Sequence, residues 1–184
     1  MTGHPLLTAQ DVLAFWREAG EERWFTKDDA FDTQVNERFA QLLGDAKDGR
    51  LDSWKDSDEG LLALILVLDQ FPRNIYRNDV RAFATDAMAR QLTEEAIARG
   101  ADQRIDRSLR AFVYMPLMHS ESLADQDRGV ALYRALGNAN NLKFAELHAD
   151  IIRKFGRFPH RNAVLGRSTT PEEATFLAEG GFAG

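Results

Sequence analysis

Residues 61–68 read Leu-Leu-Ala-Leu-Ile-Leu-Val-Leu, apolar at every position. Neither the period of an amphipathic helix nor that of a half-buried strand shows, so the flanks decide. Ser57-Asp58-Glu59 is a helix start and Pro72 a helix stop. The segment is read as a helix over about residues 58–70 without a polar face, hence sheathed by other helices. Asp69 breaks this pattern. A carboxylate at a helix C-terminus faces the negative end of the macrodipole, at a cost of roughly 0.3–1 kcal/mol, and burial adds to that cost. Arg73 and Arg77 are the nearest cations to offset it.

The rest of the chain alternates helix patterns with short breaks. Thr8 opens a helix carrying Phe15 and Trp16, ended by Gly20, and a connector with Trp24 and Phe25 follows. A second helix is predicted over residues 28–43, with Phe31, Val35, Phe39 and Leu42 on one stripe and Gly44 as its stop. Residues 45–56 read as a loop with at most one helical turn. Asn78-Asp79 is read as the cap of a helix closing at Gly100, with Val80, Phe83, Ala84, Ala87 and Met88 inward. A fifth helix starts at Asp106 and is kinked or ended by Pro116. A sixth covers residues 125–136 before Gly137, and a seventh residues 142–155 before Gly156. Thr170-Pro171-Glu172-Glu173 combines an N-cap threonine, a first-turn proline and a glutamate at the third position, so a last helix begins there. Strand signals are nearly absent. The class is all-α: stacked antiparallel helix pairs in one domain, 1–184, around the central apolar helix. One echo appears, Phe71-Pro72-Arg73-Asn74 against Phe158-Pro159-His160-Arg161-Asn162, read as a reused helix-exit turn.

Composition narrows the classes of function. With 44% apolar and 28% charged residues, the 184-residue chain is an ordinary globule. The absence of cysteine excludes disulfides, thiol catalysis and cysteine-bound metal. No apolar run reaches the ~20 residues of a membrane helix, and the opening Met-Thr-Gly-His-Pro lacks the order of a signal peptide. The expectation is a cytoplasmic protein without membrane contact. A net charge of −6 argues against nucleic acid as partner. One stretch reverses that charge. Residues 151–170 hold no acid but five cations, Arg153, Lys154, Arg157, Arg161 and Arg167. Either they balance acidic helices nearby, or their guanidinium forks form a site for carboxylate or phosphate.

On a helical wheel His148 lies amid Phe144, Ala145, Ile151, Ile152 and Phe155, facing the core. His119 shares a face with Phe112 and Met115 if the helix survives Pro116. Buried imidazoles need partners, so Asp69, Arg73, His119 and His148 are expected to converge. As a metal set, His119, Glu121, His148 and His160 are badly spaced: residues 119 and 121 point to different sides of a helix, and no i, i+4 pair occurs. No metal or cofactor is predicted. Ser120 lacks a nucleophile elbow, and phosphate loops are absent.

Several of these residues recur as motifs: Trp24-Phe25 before Asp28; Leu68 to Asn74; Met118-His-Ser-Glu121 with Asp125-Gln126; and Phe155-Gly-Arg-Phe-Pro-His-Arg-Asn162 with Leu165-Gly-Arg167. In them the chain resembles a bacterial family known as a domain of unknown function, number nine hundred and twenty-four in its series. The resemblance implies a helical fold similar to tetratricopeptide repeats and carries no reaction. The leading expectation is a binding module for an anionic small molecule or acidic peptide. Its site is drawn from Asp69, Arg73, Asn74, His119, Glu121, His148, Arg157, His160, Arg161 and Arg167, with Trp24 and Phe25 as pocket wall. The alternatives are a hydrolase using His119 or His148 as acid/base with Asp69 as orienter, and a structural or assembly protein whose buried polar groups only satisfy one another.

Overall fold

The computed structural model describes residues 7–182, and all regular structure among them is helical. The helices are α1 (Ala9–Trp24), α2 (Asp29–Lys47), α3 (Asp58–Ile65), α4 (Phe71–Ile75), α5 (Asp86–Ala98), α6 (Ala101–Arg104), α7 (Arg107–Met118), α8 (Leu123–Leu136), α9 (Ala139–Phe155) and α10 (Pro171–Ala178). Among the described residues, no helix is long and apolar enough to cross a membrane. Two compact units divide the chain: the first comprises residues up to 77 and 81–116, the second 78–80 and 117–184.

In the first unit every residue from Gly60 to Phe71 is buried, as an all-apolar helix requires. Helix α3 packs on α1 and α5, while α2 packs on α4. Aromatic rings fill the centre. Trp16 meets Phe71 at 5.8 Å and Phe112 at 5.4 Å, and Phe39 meets Phe71 at 4.8 Å. Each fully buried side chain of this size contributes about 1.5–3 kcal/mol.

Pro72 does not stop the central helix. Residues 66–70 form a single π turn in which the Phe71 amide donates to the Leu66 carbonyl, and α4 continues to Ile75 with Pro72 in its first turn. A proline ring displaces the carbonyl four residues back, here Leu68, and the Thr85 hydroxyl donates to that carbonyl at 2.5 Å. The wide turn absorbs the proline, and Thr85 satisfies the oxygen it strands.

Other boundaries move for local reasons. Gly20 (φ 68°) kinks α1 without ending it, so Trp24 lies in its last turn. Helix α2 runs past Gly44 because Ala46 still packs in the core; the left-handed glycine is Gly49 (φ 75°). Asn78 is left-handed (φ 62°), Val80 is exposed, and α5 begins at Asp86 with Ala89, Leu92, Thr93 and Ala96 inward. Residues 80–83 are a separate 3-10 turn. In the second unit α8 and α9 pack together, each closed by a left-handed glycine, Gly137 and Gly156. The capping box at Thr170 forms as read, with the threonine taking the Glu173 amide and Glu173 taking the Thr170 amide.

Candidate functional site

In the first unit the π turn aims charge inward. Asp69 is fully buried, and its carboxylate accepts from Gln70 Nε2 at 2.5 Å and lies 3.4 Å from Arg73 Nη1. Arg73 donates to the Asp69 carbonyl at 2.6 Å and forks onto Asp86 at 2.8 and 3.0 Å. Burial opposes the charge on Arg73, but Asp69 and Asp86 outweigh it and hold the guanidinium above its ordinary value. Since the helix continues to Ile75, Asp69 is not at a C-terminus and meets no dipole end. Arg77 does not reach it; together with Asn74 it binds Asp32, at 2.7 to 2.9 Å. Trp24 is tied down, its indole N–H donating to the Trp16 carbonyl at 2.7 Å and its ring edge-on to Phe112 at 4.9 Å. Phe25 stacks on Phe112 at 6.1 Å yet is 57% exposed.

The remaining predicted residues belong to the second unit. Helix α7 ends at Met118, one residue short of His119. Buried Gln126 donates to the carbonyls of Met118 and Ser120 at 2.7 and 2.6 Å, and Ser120 donates to Asp125 at 2.6 Å. The His-Ser-Glu and Asp-Gln motif is thus a cap that fixes the turn bearing His119 and Glu121. Glu121 accepts from Arg167 at 2.7 and 3.0 Å and from the Phe158 amide at 2.8 Å. Burial pushes its pKa up, and Arg167 and the Phe158 amide bring it net below the ordinary value.

Two of the three second-unit histidines ring Phe158, at the turn where α9 gives way to a 3-10 turn over Pro159–Arg161. His148, 5% exposed, faces the core as read, although Phe144 beside it points outward. Its Nδ1 lies 2.7 Å from the Phe144 carbonyl, which can only accept, so Nδ1 carries the proton and Nε2 the lone pair. The rings of His148 and His160 lie 5.5 and 5.6 Å from Phe158, and the Arg161 guanidinium sits over its face at 4.4 Å. His160 Nδ1 is buried and has no hydrogen-bond partner. Both histidines are pushed down to about 4. Burial is the first cause for each, and the positive charge of Arg161 and the neighbouring His119 adds to it.

The other cations of residues 151–170 pair with carboxylates, the balancing reading of that stretch. Arg153 holds Asp127 and Asp150, Lys154 meets Glu172, and Arg157 forks onto Glu173 at 2.6 and 2.8 Å. Buried Glu173 also accepts from Asn162 at 3.1 Å and the Thr170 amide at 2.8 Å, and with Arg157 as the main cause its pKa falls to about 2. No group of three or more His, Asp or Glu among the described residues has the geometry to hold a metal ion. Sequence reasoning passed over Asp86, Glu173 and Phe182. Glu173 reads only as a capping residue, and nothing in the pattern around Asp86 or Phe182 marks either as a partner of the site residues.

The caps, the π turn and the histidine–arginine cluster are built from residues 66–74, 118–126 and 148–167. The chain belongs to the family described as bacterial protein of unknown function (DUF924), whose profile matches residues 12–181. Among solved structures it is similar to the protein of unknown function ATU0120 from Agrobacterium tumefaciens, at 46% identity and a TM-score of 0.91, over 94% of this chain and 97% of that one. No curated protein matches the sequence.

Proposed function

We propose that the second unit is a binding module for a small anion, a carboxylate or a phosphate, seated beside Arg161 among His119, His148 and His160. The observation that carries this reading is electrostatic. In a chain of net charge −6, buried His148 and half-buried His160 are held neutral partly by a neighbouring guanidinium. An anion would relieve that repulsion. His160 Nδ1, buried and without a partner, supplies a polar atom for it to meet. The reading is confined to the residues around Phe158, where the Arg161 guanidinium and the rings of His148 and His160 meet.

A thermal-shift panel of phosphates and carboxylates at low salt tests the reading. A ligand at a hundred times its dissociation constant stabilises a fold by about 2.7 kcal/mol, and each kcal/mol moves Tm by roughly 2–4 °C in a protein of this size. The expected result is a clear rise that chelator leaves unchanged and Arg161→Ala abolishes. A response to acidic peptides alone would make the ligand a protein segment. A panel that shifts nothing contradicts the module, and a shift that requires zinc moves the assignment to metal-assisted catalysis.

A further inference from the structure

The chain after α10 turns back onto the histidine cluster. Gly180 adopts φ +82°, which a side chain would strain. At Gly181 a Cβ would lie 2.5 Å from the Phe176 carbonyl oxygen and 2.6 Å from the Phe176 ring, so only glycine lets the backbone cross there. The Gly181 amide donates to that same carbonyl at 2.9 Å. This tight turn brings Phe182 edge-on to both histidines, its ring 4.5 Å from His148 and 5.2 Å from His160. The base of the turn is anchored. Glu173 is clamped by Arg157 and Asn162, and Phe176 packs on Phe155 at 5.1 Å.

From this arrangement we infer that residues 180–182 are a lid on the histidine cluster, with Phe182 as its plug and α10 as its fixed base. The inference rests on reading that cluster as a binding site. The architecture separates the two tasks. The base is held by an ion pair to buried Glu173 and by Phe176 on Phe155, whereas the plug is one half-buried ring beyond a glycine pair, set edge-on to two histidines and against the Ile151, Ile152 and Phe158 cluster. Local opening costs least where such contacts are fewest. A ligand entering between His148 and His160 displaces Phe182 and leaves α10 in place.

Diethyl pyrocarbonate provides the test, since it attacks neutral imidazole and both histidines are neutral at pH 7. Carbethoxylation at His148 and His160 is followed by peptide mass spectrometry in the full chain, in Phe182→Ala and in Gly181→Ala. The second variant lifts the same ring by a clash instead of deleting it. A lid predicts modification of both histidines faster by on the order of tenfold in each variant, the scale of two aromatic contacts, with the helical circular dichroism unchanged. Equal rates in all three proteins overturn the lid. So does loss of helical signal in Phe182→Ala, because a lid is dispensable to the fold beneath it. Inorganic phosphate separates this inference from the one it rests on. If the histidines open in both variants while phosphate stabilises none of the proteins, the lid stands and the anion reading fails.

Discussion

The chain uses Phe-Pro, followed by an arginine and an asparagine, twice, and the two copies set them in different backbones and surroundings. In the first, Phe71 and Pro72 sit inside a continuing helix. Arg73 is saturated by Asp69 and Asp86, and Asn74 turns to Asp32. In the second, Phe158 is extended (φ −90°, ψ 108°) after the left-handed Gly156, and Pro159 opens a 3-10 turn. There Arg161 faces an aromatic ring and neutral histidines, while Asn162 turns to Glu173. Proline biases the residue before it towards extended backbone. The second copy follows that bias and the first defies it, with the π turn absorbing the conflict. One motif therefore makes an ionic joint around Arg73 and an aromatic and imidazole cluster around Arg161.

The largest expected effect is on the ionic joint. Arg73→Ala removes the guanidinium from Asp69 and Asp86 and should cost about 3–5 kcal/mol in urea unfolding, as when one partner of a buried pair is lost. A near-neutral result would show that the π turn tolerates those carboxylates alone, and the contrast between the copies would disappear.

Acid should act on the second copy first. An unfolded histidine titrates near 6.5 and the folded ones near 4. The folded values are lowered, so the unfolded chain takes up protons first. Their contribution is whole above about pH 6.5 and is lost as pH falls towards 4. For His148 the loss approaches roughly 3 kcal/mol. Glu173, lowered from 4.5 to about 2, keeps its contribution through that window and gives it up only as pH falls from about 4.5 towards 2. Urea melts at pH 7 and pH 4.5 should therefore differ, and His148→Phe should shrink the difference.

Smaller effects sharpen the picture. Glu173→Gln weakens the fork from Arg157 while keeping the shape, and should cost about 2 kcal/mol by chemical denaturation. Arg161→Ala removes the positive charge that helps hold His148 and His160 down, together with a cation–π contact to Phe158 of about 1 kcal/mol. Both histidine midpoints should rise, which a titration of the variant reads directly. A loss as large as that for Arg73→Ala would make Arg161 a structural joint as well.

Much of this fold could be read from the sequence, where one residue type settles a local choice. The apolar run, the glycine exits after α8 and α9, and the capping box at Thr170 all formed where the pattern put them. The failures came where distant contacts overrode a local rule. Pro72 reads as a stop because proline strands a carbonyl, and only the fold shows Thr85 arriving to satisfy it. Gly44 reads as a stop because the burial of Ala46 is invisible in the chain. For the site, the wheel places His148 inward, and the charge count marks Arg161 only as one of five cations in its stretch. The partners of Arg153, Lys154, Arg157 and Arg167 are Glu121, Glu172, Glu173, Asp127 and Asp150, carboxylates up to 46 residues away along the chain.

The central claim is that the second unit holds a positive site whose histidines respond to an anion. Proton NMR of the His148 and His160 C2–H resonances across pH 3–8, with and without inorganic phosphate, tests it most directly. Without phosphate both midpoints should lie near 4. With phosphate bound both should move upward together, and in Arg161→Ala they should start higher and respond less. Midpoints that phosphate leaves in place, or that sit near 6.5 from the start, would contradict the account.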